Sequence, residues 1–574
     1  MNTTSSSLIG DKKVHIKTNP IIFLLLLFIG CVKPLEGWNK YVHAEDAIKA
    51  QEAITSELLN KHISTLASDK FEGRFPGTMG EELTVEYLSK TYSALGLKPG
   101  NPDGTWIQKA TMTGIISEVK AQFITDDERW VMKLGRDIVG NSFQTKESVN
   151  IKNANVIFCG YGVNAPEYGW NDFEGIDVKG KVIIVLVNDP PVMKNGNLDD
   201  TMFGGKAMTY YGRWSYKFEE GLRQGAKGVI VIHETEPAGY PFSVLQNGYD
   251  GEQLTIEDQN ITPLAYQGWI PLSSAERLFQ MNGLDYHELK AAAVNSNFKA
   301  KPLKVQFTSK MINSVRRFES NNIVAKYEGT DVELKDEYII YTAHWDHLGK
   351  NKKLKGDQIY NGANDNASGT GMIMTVAEAF TNLAEGSKRS ILFLAVTAEE
   401  QGLLGATYYS LNPLYPLNKT VAVINIDAMG NTFGKTKDLI VVGKGNSELD
   451  QVLEFAAAQD GKYLIPDAEP EKGFYYRSDH FAFAKQGVPA LYVDGGLDVM
   501  GKGENFGIEM KDDYTNNHYH GVTDEVKPDW NYKGMVEDGR ILFRVGYAIG
   551  QHNEWPKWSD GTEFKAKREA MLAK

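Results

Sequence analysis

From about Ser320 onward, short apolar strands alternate with amphipathic helices, and this alternation constrains the fold more than any other feature of the sequence. Strands separated by helices pair in parallel through crossover connections, which places helices on the faces of the sheet. The sequence therefore predicts an α/β fold built on a mixed, mostly parallel sheet flanked by helices. The predicted strands are 322–327, 338–343, 391–397, 421–426, 439–442 and 490–493, and the main predicted helices are 369–383 and 447–459.

The chain before this region has two different textures. Residues 44–108 carry two amphipathic helical patterns separated by FEGRFPGT (71–78), a turn-rich string that implies no chemistry by itself. Residues 135–300 consist of short apolar strands separated by Gly- and Asn-rich turns. We therefore expect residues 135–300 to form a separate, β-rich inserted module.

The first 31 residues have the pattern of an export signal. Lys12, Lys13 and Lys17 precede the apolar run 21–29, which is too short to span a bilayer. The run ends in Phe-Ile-Gly-Cys at Cys31, which is similar to the lipobox of bacterial lipoproteins. We expect an exported protein that is lipid-anchored at the bacterial envelope and faces the periplasm or the exterior. Cleavage by an ordinary signal peptidase, which would give a secreted protein, is the alternative.

Charge and cysteine content exclude several classes of site. Lys and Arg number 61 against 74 Asp and Glu, a formal net charge of −13. A nucleic-acid partner is not expected, because nucleic-acid affinity comes largely from clustered basic residues. The chain has two cysteines, so zinc held by several cysteines is excluded. Any metal must be bound by His, Asp and Glu, the ligand set of catalytic zinc more often than of structural zinc.

Metal-ligand residue types follow three successive predicted strands. His344 follows the second strand, Glu399 and Glu400 follow the third, and Asp427 follows the fourth. Ligands bind outside the carboxyl ends of strands in such sheets, so these residues are expected at one edge. Each residue alone would be an ordinary loop residue, but their joint placement predicts a site.

Two further segments add candidate ligands. Asp365 precedes the predicted helix 369–383, where a lone Asp would usually be an N-cap. Near the end of the chain, His518 and His520 lie in a polar loop, and composition does not distinguish between them. About five protein groups that include a shared carboxylate fit two metal ions better than one.

Six ordered strings resemble the co-catalytic zinc exopeptidases, a family that includes bacterial leucyl aminopeptidase, aminopeptidase Y and glutamate carboxypeptidase II. The resemblance covers about 44–112 and 320–547, which implies that residues 44–134 and 301–574 form two parts of one zinc peptidase domain. The strings DVKGKVIIVLVND and YKFEEGLRQGAKGVIVIHE resemble a protease-associated domain, which assigns that identity to the insert at 135–300. The six strings are HWDHLG from His344, NGANDNASG from Asn361, AEEQGLLGA from Ala398, NIDAMG from Asn425, YYRSDHFAF from Tyr475 and YHGVTDE from Tyr519.

The resemblance implies a ligand set for two zinc ions per chain. Asp365 would bridge both ions, His344 and Asp427 would complete one site, and Glu400 and His520 would complete the other. The substrates implied are peptides, hydrolysed at one terminus by metal-activated water.

The same resemblance implies roles for neighbouring residues. Glu399 would be the general base that takes a proton from the bridging water and passes it to the leaving amine. Asp346 would hold the His344 ring. Tyr475 would donate to the oxyanion, with Tyr476 as the alternative.

Several functions remain open from the sequence. An aminopeptidase is favoured, because acidic residues around the motifs outnumber the cations that a terminal carboxylate needs. A carboxypeptidase or dipeptidase is the main alternative, since Arg477 adjoins the predicted site. A non-catalytic receptor-like ectodomain is disfavoured, because such a protein should have lost metal ligands and all five positions here hold competent residue types. Glutaminyl cyclisation is disfavoured, because it uses one metal and the full set of five ligands fits two. The acids counted are Glu399, Asp346, Asp479, Asp512 and Asp513, and the cations are Arg477, Lys502 and Lys511.

Overall fold

A computed structural model describes residues 36–256 and 262–573 of the chain. The predicted export signal of residues 1–31, including Cys31, lies outside the described residues. Within the described ranges, no helix combines the length and apolar character needed to cross a membrane. The α-helices are Glu36–Val42, Glu45–Ala50, Ser56–Leu66, Met79–Ala94, Trp214–Arg223, Thr235–Ala238, Phe242–Gly248, Leu272–Met281, Tyr286–Ala293, Gly369–Thr381, Leu404–Leu411, Leu449–Gln459, His480–Ala484, Glu504–Asn517, Lys533–Gln551 and Lys565–Leu572.

The C-terminal half of the chain forms a sheet in which parallel pairs predominate. Two pairs are antiparallel: Asp438–Val442 with Ala490–Gly495, and Ser390–Val396 with Lys301–Tyr327. The predicted α/β fold with a mixed, mostly parallel sheet is therefore confirmed. In spatial order, the strands are Tyr463–Pro466, Asp438–Val442, Ala490–Gly495, Thr420–Asn425, Tyr338–His344, Ser390–Val396 and Lys301–Tyr327.

The central strands of this sheet are covered on both faces. Every residue of Tyr338–His344 and of Ser390–Val396 is buried, as expected for continuous apolar strands between two helical layers. The helix Gly369–Thr381 packs against Tyr338–His344 on one face. On the other face, side chains from Leu404–Leu411 and His480–Ala484 share a core with Ile340 and Leu394.

The 27-residue strand Lys301–Tyr327 connects the two halves of the structure. Its last residues pair with Ser390–Val396, and its residues 306–323 pair with Ile107–Ile124. Its first half also pairs with Ser148–Phe158. One strand thus belongs both to the C-terminal sheet and to the β-rich region before it. The other short strands are Lys98–Pro99, Arg129–Met132, Met193–Lys194, Asn197–Leu198, Asn164–Ala165, Trp170–Asn171, Gln253–Thr255, Gly349–Lys350 and Ile359–Tyr360.

The β-rich region has its own buried layers on the two faces of its strands. The helix Trp214–Arg223 buries Tyr216 and Phe218 in these layers. Cys159 is buried in one of these cores, and burial raises the pKa of its thiol well above the usual value. The division of the chain at residues 135 and 300 stays a prediction. The region's strands, in spatial order, are Ser148–Phe158, Val182–Leu186, Gly228–His233, Tyr266–Pro271 and Val139–Asn141.

Asn322, on the long strand, is fully buried and bridges neighbouring segments. Its Nδ2 donates to Gln108 Oε1 (3.0 Å) and to the Gly405 carbonyl (2.9 Å). Its Oδ1 accepts from the Thr397 amide at 3.0 Å. Asn322 therefore fixes the start of the loop that follows the strand Ser390–Val396.

Asn322→Leu is expected to lower the free energy of unfolding by about 2–4 kcal/mol, because each buried polar group left without a partner costs about 1–3 kcal/mol. Urea denaturation measures this change. Asn155→Leu is the matched control, since Asn155 is exposed on the neighbouring strand and its replacement should change stability little. Equal midpoints for Asn322→Leu and wild type would contradict the role of Asn322.

Candidate metal centre

The predicted polar residues meet at one edge of the sheet. The strand Tyr338–His344 pairs in parallel with the strands that end at Val396 and Asn425, with one register shift in the second pair. Strands paired in this way end at the same level, so the residues after them converge. The structure therefore brings His344, Glu399 and Asp427 to the same edge.

Asp365 reaches this edge from the irregular turn Ala363–Ser368, which precedes the helix Gly369–Thr381. The Asp524 carboxylate holds the turn, because its oxygens accept the amides of Asn364 at 3.0 Å and Asp365 at 3.1 Å. Asp524 is itself buried. A carboxylate from the end of the chain thus orients a central acid of the site.

The five predicted ligand residues lie together. His344 Nε2 is 3.2 Å from Asp427 Oδ1 and 3.3 Å from Asp365 Oδ1. His520 Nε2 is 3.3 Å from Asp365 Oδ2 and 3.0 Å from Glu400 Oε2. The two oxygens of Asp365 therefore face two different imidazoles. This is the arrangement that a bridging carboxylate requires.

His347 is a site residue that the sequence analysis missed. It is fully buried, and its Nδ1 lies 2.5 Å from Glu400 Oε1. Ligand atoms of His347, Asp365 and Glu400 all lie within 4.8 Å of one another, so His347 could itself contact a metal or could orient Glu400. The signal was its position three residues after His344.

Asp346 contacts both His344 and the Glu399 loop. The Nδ1 of His344 lies 3.2 Å from the backbone carbonyl of Asp346 and 3.8 Å from its carboxylate. The carboxylate accepts the Glu399 amide at 3.0 Å. The structure thus places the hydrogen bond to the imidazole on the carbonyl, while the carboxylate fixes the backbone of Glu399.

Two polar side chains orient Asp427. Ser478 Oγ donates to Asp427 Oδ2 at 2.6 Å, and Asn425 Nδ2 donates to the same hydroxyl at 2.6 Å. His480 lies nearby but packs its ring against Tyr475 and Tyr492, and burial lowers its pKa to about 3. This packing gives His480 a structural role.

Backbone conformations that non-glycine residues rarely adopt adjoin the ligand candidates. The φ angle is 53° at Ala398, 46° at Ala428 and 55° at His520. Each such residue costs about 1–3 kcal/mol and persists where the surrounding structure holds it. These residues turn the chain directly beside Glu399, Asp427 and His520 itself.

The carboxylates of the cluster favour the protonated form of His344, and the imidazoles favour the ionised form of Glu400. Burial lowers the pKa of His344, but Asp427, Glu399 and Asp365 outweigh it and raise the pKa well above the usual value. Burial and the Asp365 carboxylate raise the pKa of Glu400, but His520 and His347 outweigh them and lower it to about 2. A metal cation would have to displace these protons.

The predicted role of Tyr475 is not supported. The turn Phe474–Tyr476 directs the Tyr475 ring into an aromatic core with Phe564 and Trp558, and Tyr475 is not among the described residues that line the cavity at the site. The alternative, Tyr476, also lies in this core, and its hydroxyl donates to Glu563. Other tyrosines line the cavity instead, and the sequence carried no signal for which ones do so: Tyr240, Tyr492, Tyr514 and Tyr519.

A cavity of about 940 Å³ opens onto the cluster. His344, Asp365, Glu399 and Asp427 line it, together with residues of the predicted insert. Arg477 holds the insert side of the cavity in place, because its Nη2 donates to the Ala238 carbonyl at 2.9 Å and its guanidinium lies over the Tyr240 ring. The insert residues that line the cavity are Thr235, Glu236, Gly239, Tyr240, Pro241 and Val244.

The donor set fits a divalent cation such as zinc. Ligand atoms of His344, Asp365 and Asp427 lie within 4.8 Å of one another, as do those of His344, Glu399 and Glu400. Zinc in catalytic sites is bound by imidazole nitrogen and carboxylate oxygen, which are the donors present. Several carboxylates buried this closely repel one another unless a cation lies between them.

Comparison with known proteins identifies relatives of this chain. Residues 322–542 match the model of Peptidase family M28. Leucine aminopeptidase 2 of Arthroderma otae is 30% identical over 351 residues, which cover 57% of this chain and 63% of that protein. Aminopeptidase YwaD of Bacillus subtilis is 31% identical over 125 residues, which cover 21% of this chain and 24% of that protein. The chain thus spans less than two thirds of the length of these relatives.

A solved structure shares the fold. The aminopeptidase from Aneurinibacillus sp. strain AM-1 aligns with a TM-score of 0.52 at 17% identity, and the alignment covers 89% of this chain and 97% of that one. At this identity the similarity concerns the fold. It extends over most of the described chain, including the β-rich region.

Asp365→Ala is expected to reduce the zinc content of the purified protein, because each of the two oxygens of this carboxylate faces a different candidate ligand. Elemental analysis after exposure to zinc measures the content. Asp512→Ala is the matched control, since Asp512 lines the same cavity but is exposed and outside the cluster. Zinc content equal to that of wild type in Asp365→Ala would contradict a bridging position.

Proposed function

We propose that this protein is a zinc-dependent aminopeptidase of Peptidase family M28, whose model residues 322–542 match, and that it removes N-terminal residues from peptides. The observation that carries the proposal is the position of Asp365 between two imidazole–carboxylate pairs. Relatives named leucine aminopeptidase support the polarity of the reaction.

Two zinc positions are proposed on the two sides of Asp365. His344 and Asp427 would hold one ion with it, and Glu400 and His520 would hold the other. Zinc, when bound, lowers the pKa of a coordinated water and polarises the scissile carbonyl. Asp346, Ser478 and Asp524 are proposed to keep the ligands oriented by the contacts described above.

Glu399 is proposed as the general base. It lines the cavity, its carboxylate lies 4.0 Å from His344 Nε2, and its backbone is fixed by Asp346. Burial raises the pKa of Glu399 well above the usual value, His344 opposes the rise, and Asp427 adds to it. A raised pKa makes the carboxylate a better proton acceptor and lets it pass the proton to the leaving amine.

Charge around the cavity favours recognition of an ammonium group. Arg477 is engaged with Ala238 and Tyr240 of the opposite wall, which leaves the carboxypeptidase alternative without its evident cation. The carboxylates lining the cavity, apart from the ligand cluster, belong to Glu236, Asp467, Glu469, Glu471, Asp494, Asp512, Asp513, Asp524, Glu525 and Asp529, against Lys472, Arg477, Lys502, Lys511 and Lys527.

Residues 135–300 are proposed to be a protease-associated insert that helps to select substrates. The segment around Tyr240 lies in the same cavity as His344, so a peptide bound at the cluster would meet both parts of the chain. None of the proposed ligands belongs to this segment. Its contribution would be to peptide length and side chain rather than to hydrolysis.

Export and lipid anchoring are proposed from the N-terminal sequence. The lysines before the run 21–29 and the placement of Cys31 support a lipoprotein signal. Peptides at the bacterial envelope would then be the substrates.

Glu399→Gln is expected to retain zinc and to lose most of the turnover, because the amide keeps the shape and cannot accept a proton. The loss of a general base costs about 10²–10⁴ in rate. Zinc content and hydrolysis of an aminoacyl reporter are measured on the same sample. The control is Glu525→Gln, since Glu525 lines the cavity but is exposed. Near-wild-type turnover in Glu399→Gln would refute the assignment.

Peptide end-blocking tests the polarity of attack. One tripeptide is supplied free, N-acetylated or C-amidated, and product release is followed by chromatography. We expect acetylation to abolish cleavage, because it removes the ammonium that the acidic cavity binds, and amidation to leave cleavage intact. Cleavage of the acetylated form with loss on amidation would instead identify a carboxypeptidase.

A further inference from the structure

The string FEGRFPGT packs next to the candidate metal centre, and the proposed reaction assigns it no role. Gly73 in this string has a φ of 67°, and a Cβ there would lie 2.5 Å from the carbonyl oxygens of Gly349 and Tyr360. Only glycine fits this approach. This close approach places the next residue, Arg74, in the interior, where it is 1% exposed.

The Arg74 guanidinium binds backbone carbonyls of three segments. Nε donates to Trp345 O (2.8 Å), Nη1 donates to Asn361 O (2.6 Å) and to Leu66 O (2.8 Å), and Nη2 donates to Gly362 O (2.9 Å). A planar guanidinium with donors in fixed directions defines the relative positions of its acceptors.

Two of these segments carry proposed metal ligands. Trp345 directly follows His344, and Gly362 lies three residues before Asp365. His344 and Asp365 are the pair whose facing atoms lie 3.3 Å apart. Arg74 thus links the backbones of the two loops, and its hydrogen bonds go to backbone carbonyls rather than to the candidate ligand atoms.

We propose that Arg74 is a positioning residue for the metal centre, which sets the separation of the His344 and Asp365 loops through its carbonyl hydrogen bonds. The proposal rests on the proposed function, because it takes zinc as the cation of the cluster. A purely structural role would change stability without changing zinc affinity.

The charge of Arg74 has the opposite effect on zinc from its hydrogen bonds. Burial lowers the pKa of Arg74 to about 10, and the carboxylates of Asp346, Asp524 and Asp365 oppose this shift, so the side chain is cationic at neutral pH. A cation near the cluster repels zinc. Removal of the charge alone would tighten zinc binding, whereas loss of the positioning weakens it.

Arg74→Lys and Arg74→Gln separate these effects. Lysine keeps the charge but cannot reach the three segments together, and glutamine removes the charge. We expect zinc dissociation constants, measured by competition with a chromophoric chelator, to rise by about 10–100-fold in both variants. The zinc-induced rise in Tm should shrink correspondingly.

Arg389→Lys is the matched control for loss of a buried arginine. Arg389 is also fully buried, and it donates to the carbonyls of Ile549 (2.7 Å) and Asn553 (3.0 Å) and to Glu337. None of these partners is a proposed ligand or a neighbour of one in sequence. We expect this variant to have a lower Tm and an unchanged zinc dissociation constant.

Wild-type zinc affinity in folded Arg74→Lys, or tighter binding in Arg74→Gln, would overturn the proposal. If Arg74→Gln does not fold, Arg74→Lys alone decides the outcome, because it preserves the buried charge. Wild-type protein that binds zinc but cleaves no peptide would refute the proposed function and leave the Arg74 result valid.

Discussion

The burial of several carboxylates at one sheet edge is the constraint on which the site depends. Asp346, Asp365, Glu399, Glu400 and Asp427 would repel one another strongly away from water. The chain offsets this repulsion with imidazoles, with backbone amides and with the guanidinium of a buried arginine. These groups reduce the repulsion but leave oxygens and imidazole nitrogens facing each other. This arrangement fits a site for a cation.

The sequence predicted the part of the fold in which local pattern and burial agree. The strands Tyr338–His344 and Ser390–Val396 are uniformly buried and mostly apolar, and the prediction placed them within one residue. The strand Ile107–Ile124 was not predicted, and Lys301–Tyr327 was predicted only from residue 322, because exposed polar residues interrupt both strands and each is held by pairing with a distant segment. Tertiary partners decide such strands.

The structure assembles the five predicted ligand residues, while the residues that support them were harder to find from the sequence. His347 and Asp524 lie inside strings that the prediction used, yet their roles depend on contacts with Glu400 and Asp365 that no spacing reveals. Tyr475 shows the converse, since it lies inside a string that the prediction used, yet its turn directs the ring into an aromatic core rather than towards the cavity. Motif matching locates candidate ligands, but the orientation of the surrounding side chains depends on the folded structure.

The order in which the site is built follows from the positions of its parts along the chain. Arg74 lies near the start of the described residues, whereas His520 and Asp524 come near their end. During synthesis, the loops around His344 and Asp365 leave the ribosome well before the segment that completes and braces them. A full ligand set exists only once residue 524 has emerged and folded back. A cation bound earlier would be held by a partial set of the proposed ligands, so the proposed centre is completed only after most of the chain has been synthesised.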